Sequence, residues 1–375
     1  MTGKRHHYVP QFLQAGFSSR PGERARRAWL YRKGEATPVE ATLKNIGVEV
    51  SFYRYRASGV DISADEAITR AEGQRLAPLV KRLRAARPGA YPDEAGVAEL
   101  FAHVYARTKA VWGIAESQAP RLFARLCAFA RDPEVIKQVL PQLVEMHRHV
   151  FVRLLAPRYP GRDIEQLLTE WMMQIQAAPP GDVVADIAPV MDSLLKFALR
   201  ALQMSKVQSM QELSNRPEAA LRFHDCVFHV LEFGGAQLVQ GDTPVVFCRT
   251  ECRGFTPILS QSEVFDYAFL PLTPTRAVVA SKGDLPVSWE VLRKASVVCS
   301  YKHFIAAAPY PELNTLALTL GDDFPVTTDV QTEQLFGDAL ALARTPDWMG
   351  TDEVAAIEYL GAQILLPPAL TGGTE

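Results

Sequence analysis

The apolar positions of this chain change period more than once along its 375 residues. Between 28 and 56 they fall in short β-branched and aromatic runs, Trp29-Leu30-Tyr31 before a turn at Lys33-Gly34-Glu35 and then Val48 to Tyr55, which is how strands read. From Ser63 the spacing becomes helical. Ser63-Ala64-Asp65-Glu66 has the form of a capping box, in which the hydroxyl bonds the amide three residues on and the glutamate reaches back. Behind it Ile68, Leu76, Leu79 and Leu83 share a face, and Pro78 is placed to kink or end the first part. Val97, Leu100, Phe101, Val104, Thr108, Val111 and Ala115 keep the 3.6-residue period, as do Leu140, Leu143, Val144, His147, Phe151 and Leu154. Breaks at Pro160-Gly161 and Pro179-Pro180-Gly181 separate helices, and Asp192 to Leu213 is another long candidate.

Past Pro217 the pattern returns to strands. Arg222 to Phe233 runs without Pro or Gly, Gly234-Gly235 makes a turn, and Val245-Val246-Phe247, Tyr267 to Leu272, Ala277 to Ala280 and Ala295 to Ala307 follow as β segments. Two helices near Thr332–Arg344 and Asp352–Leu360 precede a polar tail. Strands, then helices, then strands predict an α+β fold: a β-rich layer drawn from the N- and C-terminal parts, with a large central helical region. The expectation is one elaborated domain over 1–375, made of a β-rich segment (1–60), a helical part (61–215), a second β-rich part (216–310) and C-terminal helices with a tail (311–375).

Composition narrows the class without naming the chemistry. Hydrophobic residues are 48 % and charged residues 22 %, the balance of a packed globular chain, which excludes disordered, collagen-like and disulfide-scaffold classes. Five cysteines cannot all pair within one chain, no apolar run is long enough to span a membrane, and the basic N-terminus lacks the apolar stretch of a secretory signal. Cytoplasmic residence is expected on those grounds. The net charge of −2 conceals an asymmetry: residues 1–33 carry eight basic side chains against Glu23, so this segment is +7 and the remainder −9. A solvated loop from Ser18 to Arg27 is the preferred account of those arginines, and a surface for a phosphate backbone or an acidic partner is the alternative.

No phosphate-binding glycine loop, His-Glu-x-x-His helix or Gly-x-Ser-x-Gly elbow is present. Cys248 and Cys252 have a companion pair only among His224, Cys226 and His229; strand alternation puts His224 and Cys226 on one face and His229 on the other, no tight second knuckle exists, and strand-lining thiols and histidines are preferred to zinc. Arg107 borders an apolar helical stripe, where a guanidinium needs an acid, and Glu72, between Ile68 and Leu76, is the natural partner. That pair reads as structural or as a carboxylate–guanidinium site. His6-His7-Tyr8-Val9-Pro10-Gln11-Phe12 is the most informative run: imidazoles able to act as base, acid or metal ligand, among residues that could dock a terminal strand. Gly241-Asp242-Thr243-Pro244 is a turn signature that also presents a carboxylate between strands.

Lys4-Arg5-His6-His7-Tyr8-Val9-Pro10-Gln11-Phe12-Leu13 resembles the opening of a bacterial family called domain of unknown function 4238. Lys44-Asn45-Ile46 with Phe52-Tyr53, Glu72, Arg107-Thr108, Gly241-Asp242-Thr243-Pro244-Val245 and Pro271-Leu272-Thr273-Pro274 resemble that family's later blocks, in order, over roughly 4–310. Thr243 stands where the family usually has Asn. The resemblance carries no activity; it implies that His7, Gln11, Glu72, Arg107 and Asp242 belong together. Two functions are therefore expected. One is a hydrolase acting on nucleic acid, in the manner of a nuclease-like toxin or phage-defence effector, with His7, Glu72 and Asp242 as catalytic groups, His6, Gln11 and Arg107 as substrate-binding groups, the basic segment steering the polyanion, and the cofactor left open with a divalent metal among the candidates. The other is a non-catalytic ligand- or protein-binding module in which the same polar set is a buried network.

Overall fold

A computed structural model describes residues 5–57, 60–108, 148–157, 159–177, 222–250, 254–259, 264–283 and 288–324, together with 112, 145, 206–208, 210, 211, 220 and 285. The chain divides into two compact units, 1–116 with 203–326 and 117–202 with 327–375.

The first unit is α+β. Its larger sheet has six antiparallel strands in the order β11-β10-β12-β13-β8-β7, comprising β7 (Gly89–Ala90), β8 (Val227–Glu232), β10 (Val246–Arg249), β11 (Phe255–Thr256), β12 (Phe265–Thr273) and β13 (Arg276–Ser281). Alternation along these strands sends side chains to two different cores. Val245, Phe247, Ala268, Leu270, Val278 and Ala280 face the helical side, where they pack with Leu83, Val97, Leu100 and Phe101. Val246, Phe269, Ala277 and Val279 face the other side and meet Leu30 and Ile305 of a second sheet. Burial on both faces is why β12 reads as an almost unbroken apolar run.

The second sheet, order β3-β2-β14-β9, joins the two ends of the family of strands: β2 (Arg27–Arg32) and β3 (Val39–Thr42) come from the front, β9 (Gln240–Gly241) and β14 (His303–Ala306) from the back. Its outer side packs Tyr31, Phe304 and Leu313, the last from the helix Pro311–Ala317. Two small ribbons are described beside these sheets. In the first, β1 (Arg5–His7) pairs with β4 (Val48–Val50) in the register His6 to Glu49 and His7 to Val48. In the second, β5 (Arg54–Ala57) pairs with β6 (Val60–Ser63). The N-terminal strand is therefore docked, with Tyr8 and Val9 buried behind it.

Several local expectations change. The capping box does not form: Ser63 ends β6, its hydroxyl accepts from the Asp65 amide at 3.3 Å, and the helix is entered from Ala64 without a side-chain cap. That helix runs Asp65–Ala71, passes through a π-turn at Glu72–Leu76, and continues as Ala77–Ala85. The Ala77 amide donates to the Glu72 carbonyl, one residue further back than in an α-helix. Pro78 next to it has no amide to give, so the widened turn absorbs the proline instead of a break. The helix beginning at Glu94 ends at Arg107, where Thr108 turns extended, rather than running on to Ala115. Residues 289–298, expected as strand from Ala295, form a helix capped by Ser288, whose hydroxyl accepts from the Val291 amide; β14 starts only at His303. Cys127, His147, the stretch 192–205 and both C-terminal helices lie outside the described residues.

In the second unit the helix Arg148–Leu155 and the helix Ile164–Ala177 pack through Val152, Leu155, Ile164, Leu168 and Met172, with Arg148 paired to Glu165. Asp163 caps the second of them by accepting from the Glu165 and Gln166 amides.

One glycine fixes how the N-terminal segment lies on the large sheet. A Cβ at Gly16 would meet the Leu272 carbonyl of β12 and the Arg84 guanidinium, and backbone cannot step aside. Gly16→Ala is expected to lower stability by about 1–3 kcal/mol. Gly73→Ala, where a Cβ meets open space, should be neutral or stabilising by up to about 1 kcal/mol. Urea unfolding of the two variants beside the wild type checks this contrast.

Candidate functional site

The polar groups of the first unit gather around β1. Arg107, at the end of the helix Glu94–Arg107, is buried at 3 % exposure. Its donors can be accounted for completely. Nε donates to the Tyr53 hydroxyl at 2.7 Å; Nη2 donates to the same hydroxyl at 2.5 Å and to the His7 carbonyl at 2.6 Å. Nη1 faces His103 Nε2 at 3.2 Å and forms an ion pair with Glu72. A guanidinium has five N–H groups, so none remains for a bound phosphate. Tyr53 also donates its own proton to the His7 carbonyl at 2.6 Å. It follows Ser51, a non-glycine residue in the left-handed region at φ 58°, so the turn that aims Phe52 and Tyr53 inward carries local strain. Glu72 is delivered by the first residue of the π-turn.

His6 and His7 point to opposite sides of β1 and do different work. His6 is buried, stacks on Tyr53 at 5.1 Å, accepts from the Tyr53 amide through Nδ1 at 3.0 Å, and meets Asp65 through Nε2 at 3.0 Å. Both ring nitrogens are thus used in holding the strand to the helix that starts at Asp65. His7 is half-buried. Its Nδ1 lies 3.2 Å from the Ile46 carbonyl, which can only accept, so the proton sits on Nδ1. The Nε2 lone pair then accepts from the Gln11 amide at 2.6 Å, and Gln11 is exposed. Desolvation lowers the His7 pKa below 6.5; the Ile46 bond opposes it, while the charges of Arg107 and Arg5 push further down. The imidazole is neutral at pH 7, with a basic nitrogen at the surface in a locally positive field.

Asp242 is placed differently. Its side chain is buried, and its oxygens accept from the amides of Tyr301 (2.7 Å), Lys302 (2.8 Å) and His303 (3.3 Å). The His303 ring stands 3.5 Å away through Nδ1. Asp242 therefore pins the loop before β14, and Thr243 supports it by donating to the Cys299 carbonyl at 2.7 Å. The link to β1 is Tyr8: its ring meets His303 edge-on at 6.4 Å, and burial together with the charges of Asp242 and Glu49 drives its phenol pKa far up. So Gln11, His7, Arg107 and Glu72 form one bonded network, His6 joins it through Tyr53, and Asp242 belongs to a neighbouring cluster reached through Tyr8.

A family model for "Protein of unknown function (DUF4238)" matches residues 5–294. The chain belongs to that family. No curated protein and no solved structure matches it. In this DUF4238 chain the separated sequence blocks meet in space. The Ile46 carbonyl of Lys44-Asn45-Ile46 receives both His7 and, at 3.3 Å, Gln14; Asn45 receives Arg5; the Leu272 carbonyl receives Arg84.

Tyr53, His103, Asp65 and His303 were not singled out as site residues by sequence. His103 carried the best signal, one turn before Arg107. Burial drives its pKa down to about 4, which keeps it a neutral acceptor for Arg107. The described thiols are buried: Cys226 packs on the helical side of the large sheet, Cys248 and Cys299 lie between the sheets, and burial raises the Cys226 pKa to about 11. Cys252 is outside the described residues. Among the described residues no group of three or more His, Cys, Asp and Glu side chains could hold a metal ion.

Replacing Arg107 strands Glu72 and leaves the Tyr53 hydroxyl and His7 carbonyl short of donors. Arg107→Met is expected to cost about 3–5 kcal/mol in urea unfolding. The depressed His103 pKa also sets a pH dependence. The unfolded chain binds the proton near 6.5 and the folded chain only near 4, so stability is fully present above 6.5 and is lost as pH falls through 4. His103→Gln should flatten the urea midpoint against pH across that window.

Proposed function

We propose that this protein is a hydrolase of nucleic-acid phosphodiesters in which His7 is the general base. The observation that carries the reading is the state of His7: proton fixed on Nδ1 by the Ile46 carbonyl, Nε2 lone pair turned to the surface at Gln11, and a pKa lowered beside Arg107 and Arg5. Such a nitrogen is ready to take a proton near pH 7, and the positive field suits an anionic substrate. In the reaction Gln11 yields its place on Nε2 to a water molecule. Nε2 takes one proton of that water, its oxygen bonds phosphorus, the ester P–O bond breaks, and the leaving oxygen takes a proton from solvent. Glu72, Arg107, Tyr53 and His6 act as positioning residues, since Arg107 holds the His7 carbonyl and Glu72 holds Arg107. Asp242 positions the loop 301–303 and has no step in the chemistry.

A second reading, a non-catalytic binding module, is favoured by one specific observation: every Arg107 donor and the Asp242 carboxylate are engaged inside the protein. The two readings separate on His7 itself. The hydrolase reading expects the purified protein to cut labelled RNA or DNA, tested with and without Mg²⁺ and Mn²⁺. It expects His7→Ala to lose about a hundredfold or more of the rate while melting within a few degrees of wild type. Because the base works only when neutral, kcat/KM should rise with pH and level off with a midpoint below 6.5. Absence of cleavage by wild type, or equal cleavage by His7→Ala, hands the site to the binding module.

A further inference from the structure

The strand β1 carries its side chains alternately, so Arg5 and His7 share one face and His6 takes the other. Burial along the strand, exposed then buried then half-buried, follows that division. Two residues along a strand span about 7 Å, which sets the Arg5 side chain next to His7. The partners across the ribbon are Val50 for Arg5 and Val48 for His7, while Glu49 lies opposite His6. The His7 face of this ribbon therefore holds a cation and no acid. Burial lowers the His7 pKa most, and the charges of Arg107 and Arg5 add to that effect.

The guanidinium of Arg5 is held at one end. Its Nη2 donates to the Asn45 side-chain oxygen at 3.2 Å, and the Asn45 side-chain nitrogen donates to the Thr42 hydroxyl at 3.0 Å. Turned over, that amide would meet the guanidinium donor to donor, so the Arg5 bond fixes which end faces it. Asn45 is followed by Ile46, whose carbonyl holds His7 through Nδ1. One short segment, 42–46, thus orients both side chains of the face. Arg5 makes no ion pair among the described residues, and its bond to a neutral amide leaves four of five N–H groups for a ligand. Arg24, Arg26 and Lys33 are also exposed without an acid partner among the described residues. Arg5 differs from them in its place on the His7 face and in its anchor on Asn45. Arg107 differs the other way, with every donor engaged inside the protein.

We infer that Arg5 is the phosphate-binding residue of the His7 site, gripping the non-bridging oxygens of the phosphodiester that the water on His7 Nε2 attacks. This rests on the hydrolase reading for its place in the reaction, while its own test includes binding, which that reading does not decide. A planar guanidinium matches two phosphate oxygens in a fork of parallel bonds. Charge that builds on those oxygens during attack strengthens the contact. Asn45 is a positioning residue, since it holds Arg5. The contact reads phosphate and carries no base specificity.

Two measurements on full-length protein test it. One is fluorescence anisotropy with end-labelled single-stranded RNA and DNA of about 20 nucleotides, between about 50 and 200 mM salt; the other is cleavage of the same strands. Arg5→Gln should weaken binding severalfold for all sequences and reduce the slope of log K against log salt by about 0.7. It should also cost about ten- to a hundredfold in kcat/KM. Arg5→Lys keeps the charge and loses the fork, so its slope should match wild type while kcat/KM falls. Asn45→Ala removes no charge; it too should keep the slope and lower kcat/KM. Arg32→Gln, which removes an equal charge already paired with Glu35, should change neither. Because Arg5 is exposed, its variants should melt with wild type. Equal affinity, slope and kcat/KM for Arg5→Gln overturn the assignment, and loss of cleavage in His7→Ala would still leave the hydrolase reading standing. Binding that depends on Arg5 without any cleavage by wild type supports the phosphate contact and overturns the hydrolase reading alone. Neither binding nor cleavage by wild type overturns both.

Discussion

The site depends on one buried cation. Arg107 sits where water cannot solvate it, and an unpaired guanidinium there would cost more than most single interactions in the molecule return. The fold meets that requirement by bringing to it groups from distant parts of the chain: the His7 carbonyl from the N-terminal strand, the Tyr53 hydroxyl from the loop after β4, Glu72 from the π-turn and His103 from one turn earlier in its own helix. Each of those groups is constrained in turn. Tyr53 is reached through a strained Ser51, Glu72 through a helix widened by Pro78, and His103 is held neutral by burial. Satisfying Arg107 thus fixes the position of β1, and β1 carries His7, whose Nε2 meets the exposed Gln11.

Two kinds of polar residue coexist around β1. His6, Tyr53, Arg107 and Asp242 have their polar groups engaged inside the protein, and Glu72 meets Arg107. His7 and Gln11 stand at its edge with a bond that a ligand can exchange. The carboxylates and the arginine that stand out in the sequence are engaged by partners inside the protein, Glu72 with Arg107 and Asp242 with three backbone amides. The segment that looks strongly basic is partly offset within the fold, since Arg20 and Arg27 face Glu40, Arg20 also faces Glu23, and Arg32 faces Glu35.

Much of the fold was legible because it followed from periodicity. Ile68, Leu76, Leu79 and Leu83 at helical spacing are buried together, and the alternating runs around Leu270 and Val278 form central strands. The misreadings have local causes. Ser63 and Glu66 satisfy the pattern of a capping box, but the strand β6 claims Ser63 and His6 claims Asp65. Val297 and Val298 are β-branched like a strand, yet the cap at Ser288 and burial of Leu292 and Ala295 place them in a helix.

For the site, the sequence by itself determined which residue types were present and that Arg107 needed an acid, for which Glu72 lay at a suitable helical position. Those are statements about charge and spacing, and they hold in any compact fold. It could not determine that Arg107 would use every donor internally, that Asp242 would be held by three consecutive amides, or that His7 rather than His6 would face outward. The last of these depends on β1 pairing in one register with β4, since a shift by one residue would exchange the faces of the two histidines. Only the tertiary structure decides that register, because the groups that enforce it come from segments up to a hundred residues apart.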